Sequence, residues 1–329
     1  MTNRRGSMAG VPLGRPSRRR VVALGGGHGL AASLQGLRRV TDSLTAIVGV
    51  ADDGGSSGRL RREFGVIPPG DLRMALAALC GDDSWGRTWQ SVIQHRFGGE
   101  GELAGHNVGN LLITALWEQS GDAVTGLDWV GSLLEAHGRV LPCSTVPLTI
   151  VAEVLGHDPA RPDEVSIVRG QVEVATTPGT VVDISLDPPE PPACREALIA
   201  LGEADAIVLG PGSWFTSVIP HLVIPELARA ITASPAKRIV VLNLNPQVGE
   251  TSDFSAHTYL DVLFNFLPDL RIDTVIADRR HVEDLEALKR SAADLGAELF
   301  LTDVARVGAE YAGEHDPQRL AVAFDTVLA

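Results

Sequence analysis

The run Arg19-Arg20-Val21-Val22-Ala23-Leu24-Gly25 leads straight into Gly26-Gly27-His28-Gly29. An apolar strand that breaks into consecutive glycines and resumes at helical period, about Gly29 to Arg39, opens a β-α-β unit. A second strand of the same kind follows at Leu44 to Val50. This junction predicts an α/β chain with a Rossmann-like, doubly wound, mostly parallel sheet.

The remaining pattern fills in that frame. Residues 71 to 137 read as several helices, a helical insert. After Pro142 the texture becomes short, β-branched and alternating: Thr149–Val154, Val165–Val168, Val172–Ala175 and Val181–Ser185. These predict a small antiparallel β insert over about 142–190. The β/α alternation then resumes, with strands at Ala206–Gly210, Arg238–Asn243, Thr274–Ala277 and Glu298–Leu301, and a closing helix from about Pro317. Residues 19–329 are expected to form one domain. Residues 1–18 read as a disordered basic tail, since the first 20 residues hold six arginines and no acid.

Composition excludes several classes of function. The net charge is −13, and removing those six arginines leaves −19 on the body, which argues against general nucleic-acid binding. No apolar run reaches the roughly 18 to 20 residues of a membrane helix. The three cysteines, Cys80, Cys143 and Cys194, have no zinc spacing and leave one unpaired in any disulfide scheme. A reducing cytoplasm is the expected setting.

Four glycine-centred loops carry the candidate chemistry. Gly25, Gly26, Gly27, His28 and Gly29 form an anion-binding turn at a helix start, without the third glycine of the dinucleotide fingerprint or the Lys-Ser/Thr of a Walker loop. Asp52, Asp53, Gly54, Gly55, Ser56, Ser57, Gly58 and Arg59 follow the second strand. The two acids there can take ribose hydroxyls or hold Mg²⁺ against a phosphate, or serve as turn caps. Pro69-Gly70-Asp71-Leu72-Arg73 places Asp71 as a helix N-cap or a site acid, with Arg73 as an anion partner. Gly210, Gly212, Ser213, Thr216 and Ser217 form a second anion nest, beside Trp214 and Phe215 as base-flanking or core rings. Two further clusters are His106-Asn107 with Asn110, and Asn243 with Glu250.

Taken together these stretches resemble the gluconeogenesis factor family, the CofD-like proteins also called YvcK. The stretch Ala51–Leu60 is the most specific, and the resemblance runs from about Arg20 to the C-terminus. The shortage of lysine (only Lys237 and Lys289) and the wording Gly210-Pro211-Gly212-Ser213-Trp214-Phe215-Thr216-Ser217 resemble actinobacterial members, linked to cell-wall growth. The resemblance implies a cytoplasmic UDP-sugar-binding protein, for example for UDP-GlcNAc, needed for normal cell shape on gluconeogenic carbon sources. It also implies protein partners in envelope synthesis and a homo-oligomer. Its enzymatic branch, CofD, is a 2-phospho-L-lactate transferase acting on a guanylated donor with Mg²⁺, and this is the rival reading. An NAD-dependent oxidoreductase is a third, disfavoured by the missing glycine and the crowded second loop. The sequence departs from the family pattern at His28, at Trp214-Phe215 and at Asn245-Pro246-Gln247-Val248.

Overall fold

A computed structural model describes residues 16–247, 249–308 and 313–329. The first half contains β1 (Ser17–Gly25), α1 (Gly27–Leu37), β2 (Thr41–Val48), α2 (Gly55–Phe64), α3 (Gly70–Leu79), α4 (Ser84–Gln94), α5 (Val108–Ser120), α6 (Ala123–Leu133) and β3 (Arg139–Pro142). The small insert contributes β4 (Thr149–Leu155), β5 (Val165–Arg169), α7 (Gln171–Ala175) and β6 (Thr180–Asp187). Then come α8 (Arg195–Glu203), β7 (Ala206–Leu209), one turn of π-helix (Trp214–Val218), α9 (Pro220–Val223), α10 (Pro225–Ala233) and β8 (Lys237–Val241). The chain closes with α11 (Ala256–Phe266), β9 (Thr274–Asp278), α12 (Leu285–Asp294), β10 (Glu298–Thr302) and α13 (Pro317–Leu328).

Seven strands form one parallel sheet in the order β10-β9-β8-β7-β1-β2-β3. β1 is central, with Val21 opposite Ala206 and Leu24 opposite Leu209 on one side and Gly25 opposite Val48 on the other. Val22, Ala23, Ile47, Ile207, Val208 and Val240 are buried on both faces of the sheet, which is why these strands read as continuous apolar runs. The winding reverses between β1 and β7, and open α/β sheets bind ligands beyond the strand ends at such a point. The second sheet is antiparallel, in the order β5-β4-β6.

The expected architecture is present, with three differences in detail. Val172–Ala175 was expected as a strand and is the helix α7, because Gly170 takes φ +101° and the Asp53 carboxylate accepts the N–H groups of Gln171 and Val172. β3 lies between the two expected inserts and belongs to the main sheet; four residues were too few to signal it. Ser17 and Arg18, expected in the tail, belong to β1, where the Ser17 N–H donates to the Val40 carbonyl at 2.8 Å. The tail expectation otherwise concerns residues 1–15, which lie outside the described residues. Cys80, Cys143 and Cys194 are buried free thiols. Among the described residues no helix is long and apolar enough to cross a membrane.

Candidate functional site

All four glycine loops meet at the β1–β7 reversal, and they fit because several positions lack a side chain. A Cβ on Gly26 would fall 2.5 Å from Asp71 Oδ2 and 3.3 Å from Ser217 Oγ. One on Gly29 would strike the Pro211 carbonyl oxygen and lie 2.7 Å from Gly212 Cα. One on Gly70 would strike Ser57 Oγ and lie 2.7 Å from Asp52 Oδ2. The glycines therefore serve as contact surfaces between loops that arrive from distant parts of the sequence. Asn243, at the end of β8, clamps the fourth loop: its amide accepts the Gly212 N–H at 2.9 Å and donates to the Gly212 carbonyl at 2.8 Å.

The cluster at the start of α5 is tied to the second and third loops. Ser56 Oγ sits 3.0 Å from His106 Nδ1 and accepts from Asn110 Nδ2 at 3.1 Å. Asn110 Oδ1 in turn accepts from Arg73 Nε at 3.0 Å, and Arg73 also donates to the Gln94 side chain. Asn107 is the N-cap residue of α5, and its amide donates to the Gln94 carbonyl at 3.1 Å. Arg59 does not reach the ligand side at all. Its guanidinium holds the carbonyls of Glu102 and Ala104, at 2.7 Å for the latter.

The acids separate into different roles. Asp53 spends both carboxylate oxygens on the backbone of α7. Asp52 uses Oδ1 on the Gly54 N–H at 3.0 Å and keeps its other oxygen beside Gly70. Asp71 is not the N-cap of its own helix, a place taken by Pro69; it lies in the first turn of α3 and turns to the N–H of Gly27 at the start of α1. Thus the acid that shares the site with Asp52 is Asp71, not Asp53 as the sequence pairing implied. Among the described residues no three His, Cys, Asp or Glu side chains gather as a metal-holding group.

Burial sets the protonation of these groups. It pushes Asp71 up to about 7, helped by the nearby charge of Asp52 and opposed by the Gly27 N–H. Burial also raises Asp52, against the Gly54 N–H and Ser57. Glu250 is buried, and among the described residues neither oxygen has a donor in good hydrogen-bond geometry; burial carries it to about 7, and the nearby Trp214 N–H and Thr216 hydroxyl only partly offset that. His221, beneath Gly49, and His315, 3.2 Å from the Leu242 carbonyl, are both driven down to about 4 by burial.

The signs oppose one another. Raised carboxyls give stability that is present below pH 4 and is lost as pH climbs to 7; depressed histidines give stability that grows from pH 4 to 6.5. Each group is worth about 1.4 kcal/mol per pH unit while it titrates, so the wild type should change little between pH 5 and 6.5. Asp71→Asn removes one falling contribution and exposes the rising ones. Urea unfolding should show the variant gaining about 2 kcal/mol relative to wild type over that interval. Parallel profiles for the two proteins would mean that Asp71 is not neutral in the fold.

A cleft of about 880 Å³ opens beside these loops. His28 and Gly29, in the first turn of α1, and Gly212 line it from the loops after β1 and β7. In the strand order β8-β7-β1-β2, Arg73 and Arg96 reach it from the β2 side, and Asn245, Gln247 and His315 from the β8 side. Arg96 and His315 were not expected as site residues, and Gln247 only as one of the amides after β8. Arg96 sits in a connecting segment without any motif, and His315 carries no ligand spacing, so nothing local marked them.

The family model described as 2-phospho-L-lactate transferase CofD matches residues 21–312. A curated "Putative gluconeogenesis factor" of Mycobacterium tuberculosis (strain ATCC 25618 / H37Rv) is 51% identical over 312 residues, covering 94% of this chain and 90% of the relative. The chain belongs to the CofD-like gluconeogenesis factor family. A "Gluconeogenesis factor" of Listeria monocytogenes is 35% identical over 294 residues, 86% of this chain and 88% of that one. The crystal structure of a UPF0052 family member from Bacillus halodurans superposes with a TM-score of 0.82 at 30% identity, over 93% of this chain and 98% of that chain.

Within this family frame, the rings of Trp214 and Phe215 resolve as core. Both are buried, with Trp214 edge-on to Tyr259 at 5.1 Å and Phe215 edge-on to Phe254 at 5.9 Å. The other departures, His28 and Asn245 to Gln247, line the cleft; Val248 lies outside the described residues.

Proposed function

We propose that this gluconeogenesis factor family member binds a nucleotide sugar of the UDP-sugar class, for example UDP-GlcNAc. It would act as a cytoplasmic binding regulator of cell shape and envelope synthesis during gluconeogenic growth. The observation that carries the reading is the meeting of two glycine loops, from β1 and β7, against the first turn of α1 in a cleft lined also by Arg73, Arg96 and Arg306. A helix start and close backbone suit a diphosphate, and local cations offset the net negative charge of the chain. Protein partners in envelope synthesis and a homo-oligomeric assembly belong to the same proposal.

Thermal unfolding with and without nucleotide tests it. UDP-GlcNAc at 100 times its Kd should stabilise the protein by about 2.7 kcal/mol. An unmoved melting curve at millimolar UDP-GlcNAc, together with a shift in a guanine nucleotide, would overturn the uridine reading.

A second reading, the CofD-like transferase, is favoured by the placement of Asp52 and Asp71 around Gly26 and Gly70. Two carboxylates with the oxygens of a diphosphate suit Mg²⁺. Held there, the ion would neutralise charge on the donor diphosphate. The residues of the chain would orient the donor along the glycine seam. Release of free nucleotide on long incubation with a guanylated donor and an acceptor alcohol distinguishes this reading from a binder that returns its ligand intact.

A further inference from the structure

The cleft differs chemically at its two ends. On the β2 side of the strand order stand Arg73 and Arg96, the charge of Arg96 bearing on Arg73, and neither joins an ion pair among the described residues. Asp71 and Asp52 act on Arg73 from the Gly26 side without touching it. On the β8 side the wall carries the amides of Gln35, Asn245 and Gln247, and among the described residues its only carboxylate, Glu314, is paired with Arg306 at 3.1 Å. Between the ends lies the glycine seam, the seat for phosphates.

Gln247 is the distinctive group on the amide wall. Its backbone N–H is fixed to Thr251 Oγ1 at 2.9 Å, so the residue is anchored. Its side-chain oxygen is buried and, among the described residues, accepts no hydrogen bond. A buried acceptor left without a donor is costly, and turning this amide into the cleft to meet a donor on a ligand would remove the cost.

Resting on the nucleotide-sugar reading, we propose that Gln247 is the base-reading residue of the cleft. Its Oε1 accepts the imide N–H of uracil, its amide nitrogen donates to the adjacent base carbonyl, and the sugar points toward Arg73 and Arg96. The ligand then runs opposite to the direction implied by ribose on the acids after β2. Recognition of a hydrogen-bonding edge by a buried partner gives strong discrimination, because an analogue lacking that edge leaves the protein group unpaired.

The test uses the full chain and titration calorimetry. Wild type should bind UDP at least tenfold more tightly than N3-methyl-UDP, whose imide hydrogen is blocked. Gln247→Leu should bind the two nearly equally, and Gln247→Glu, which keeps an acceptor, should restore part of the preference. Arg96→Gln should weaken UDP-GlcNAc at least fivefold more than it weakens UMP, since only the former reaches the arginine end. Equal binding of UDP and N3-methyl-UDP by wild type overturns the assignment, and that comparison needs no variant to fold. A tenfold preference that survives in Gln247→Leu overturns it as well. If wild type ignores every uridine nucleotide and binds GDP, the uridine reading falls. The assignment of the amide end is then judged by N1-methyl-GDP: a tenfold loss supports it and equal binding overturns it.

Discussion

Gly29→Ala is expected to destabilise the protein by about 3 kcal/mol, a fall in Tm of roughly 4 °C, and to abolish ligand stabilisation. The reason is geometric. The added methyl would strike the Pro211 carbonyl oxygen and sit 2.7 Å from Gly212 Cα, both backbone atoms that no rotamer change can move aside. The fourth loop would have to withdraw from α1, and Asn243 resists, because its amide is bonded to both sides of Gly212. Gly202→Ala provides the control. That position lies in α8 with nothing within 4 Å of a new Cβ, so alanine should stabilise by about 0.5–1 kcal/mol. The same chemical change should thus have opposite signs at the two sites when urea midpoints are compared. Equal effects would remove the close approach of the loops from the account.

The second large effect is expected at Asp278, the last residue of β9. Its side chain is wholly buried and receives the N–H groups of Val304 and Ala305 at 2.8 Å each and that of Arg280 at 2.9 Å. The Arg280 guanidinium and His281 Nδ1 add 3.1 Å contacts. Burial alone would raise this carboxyl, but the hydrogen bonds from Arg280, Ala305 and His281 outweigh it and hold the pKa far below the usual carboxylate range. Asp278→Ala leaves those donors without an acceptor and should cost about 3–5 kcal/mol at neutral pH, the sum of two or so charge-assisted bonds. A depressed carboxyl stabilises above its unfolded pKa and loses that as pH falls, so the penalty should shrink below pH 4. Because Ala305 pairs with His315 across an isolated bridge, the variant should also loosen the wall that carries Glu314 and His315. Chemical denaturation at pH 7 and pH 3.5 checks both parts; a penalty independent of pH would make Asp278 a mere space filler.

Much of this was legible in the chain because local rules suffice for it. β1, β2 and β7 announce themselves as apolar runs that end in glycine, and a strand that ends so must place its loop at the carboxyl edge of a parallel sheet. That reasoning brings Gly25–Gly29 and Gly210–Ser217 together, as found. The division of labour among the acids was not legible. Asp52, Asp53 and Asp71 are alike in sequence, yet one caps α7 from 118 residues away, one turns to Gly27 and one is shared between Gly54 and the Gly70 edge. Only tertiary contacts decide which carboxylate is spent on backbone. The same holds for Arg59 and Arg73: one is used up on the carbonyls of the segment before α5, and the other lines the cleft. Val172–Ala175 misled for a related reason, since β-branched residues were overruled by a cap supplied from the second loop.

The strand order has a consequence for how the molecule comes to be. β1 leaves the ribosome early but pairs with β7, about 185 residues later, and its neighbour β2 waits through five helices for β3. Contacts so distant in sequence form late, after the cost of closing very long loops has been met. The cleft exists only where those last contacts are complete, and its far wall needs β9, β10 and the start of α13 as well. A ligand that fits this pocket would therefore select the completed chain over a shorter fragment.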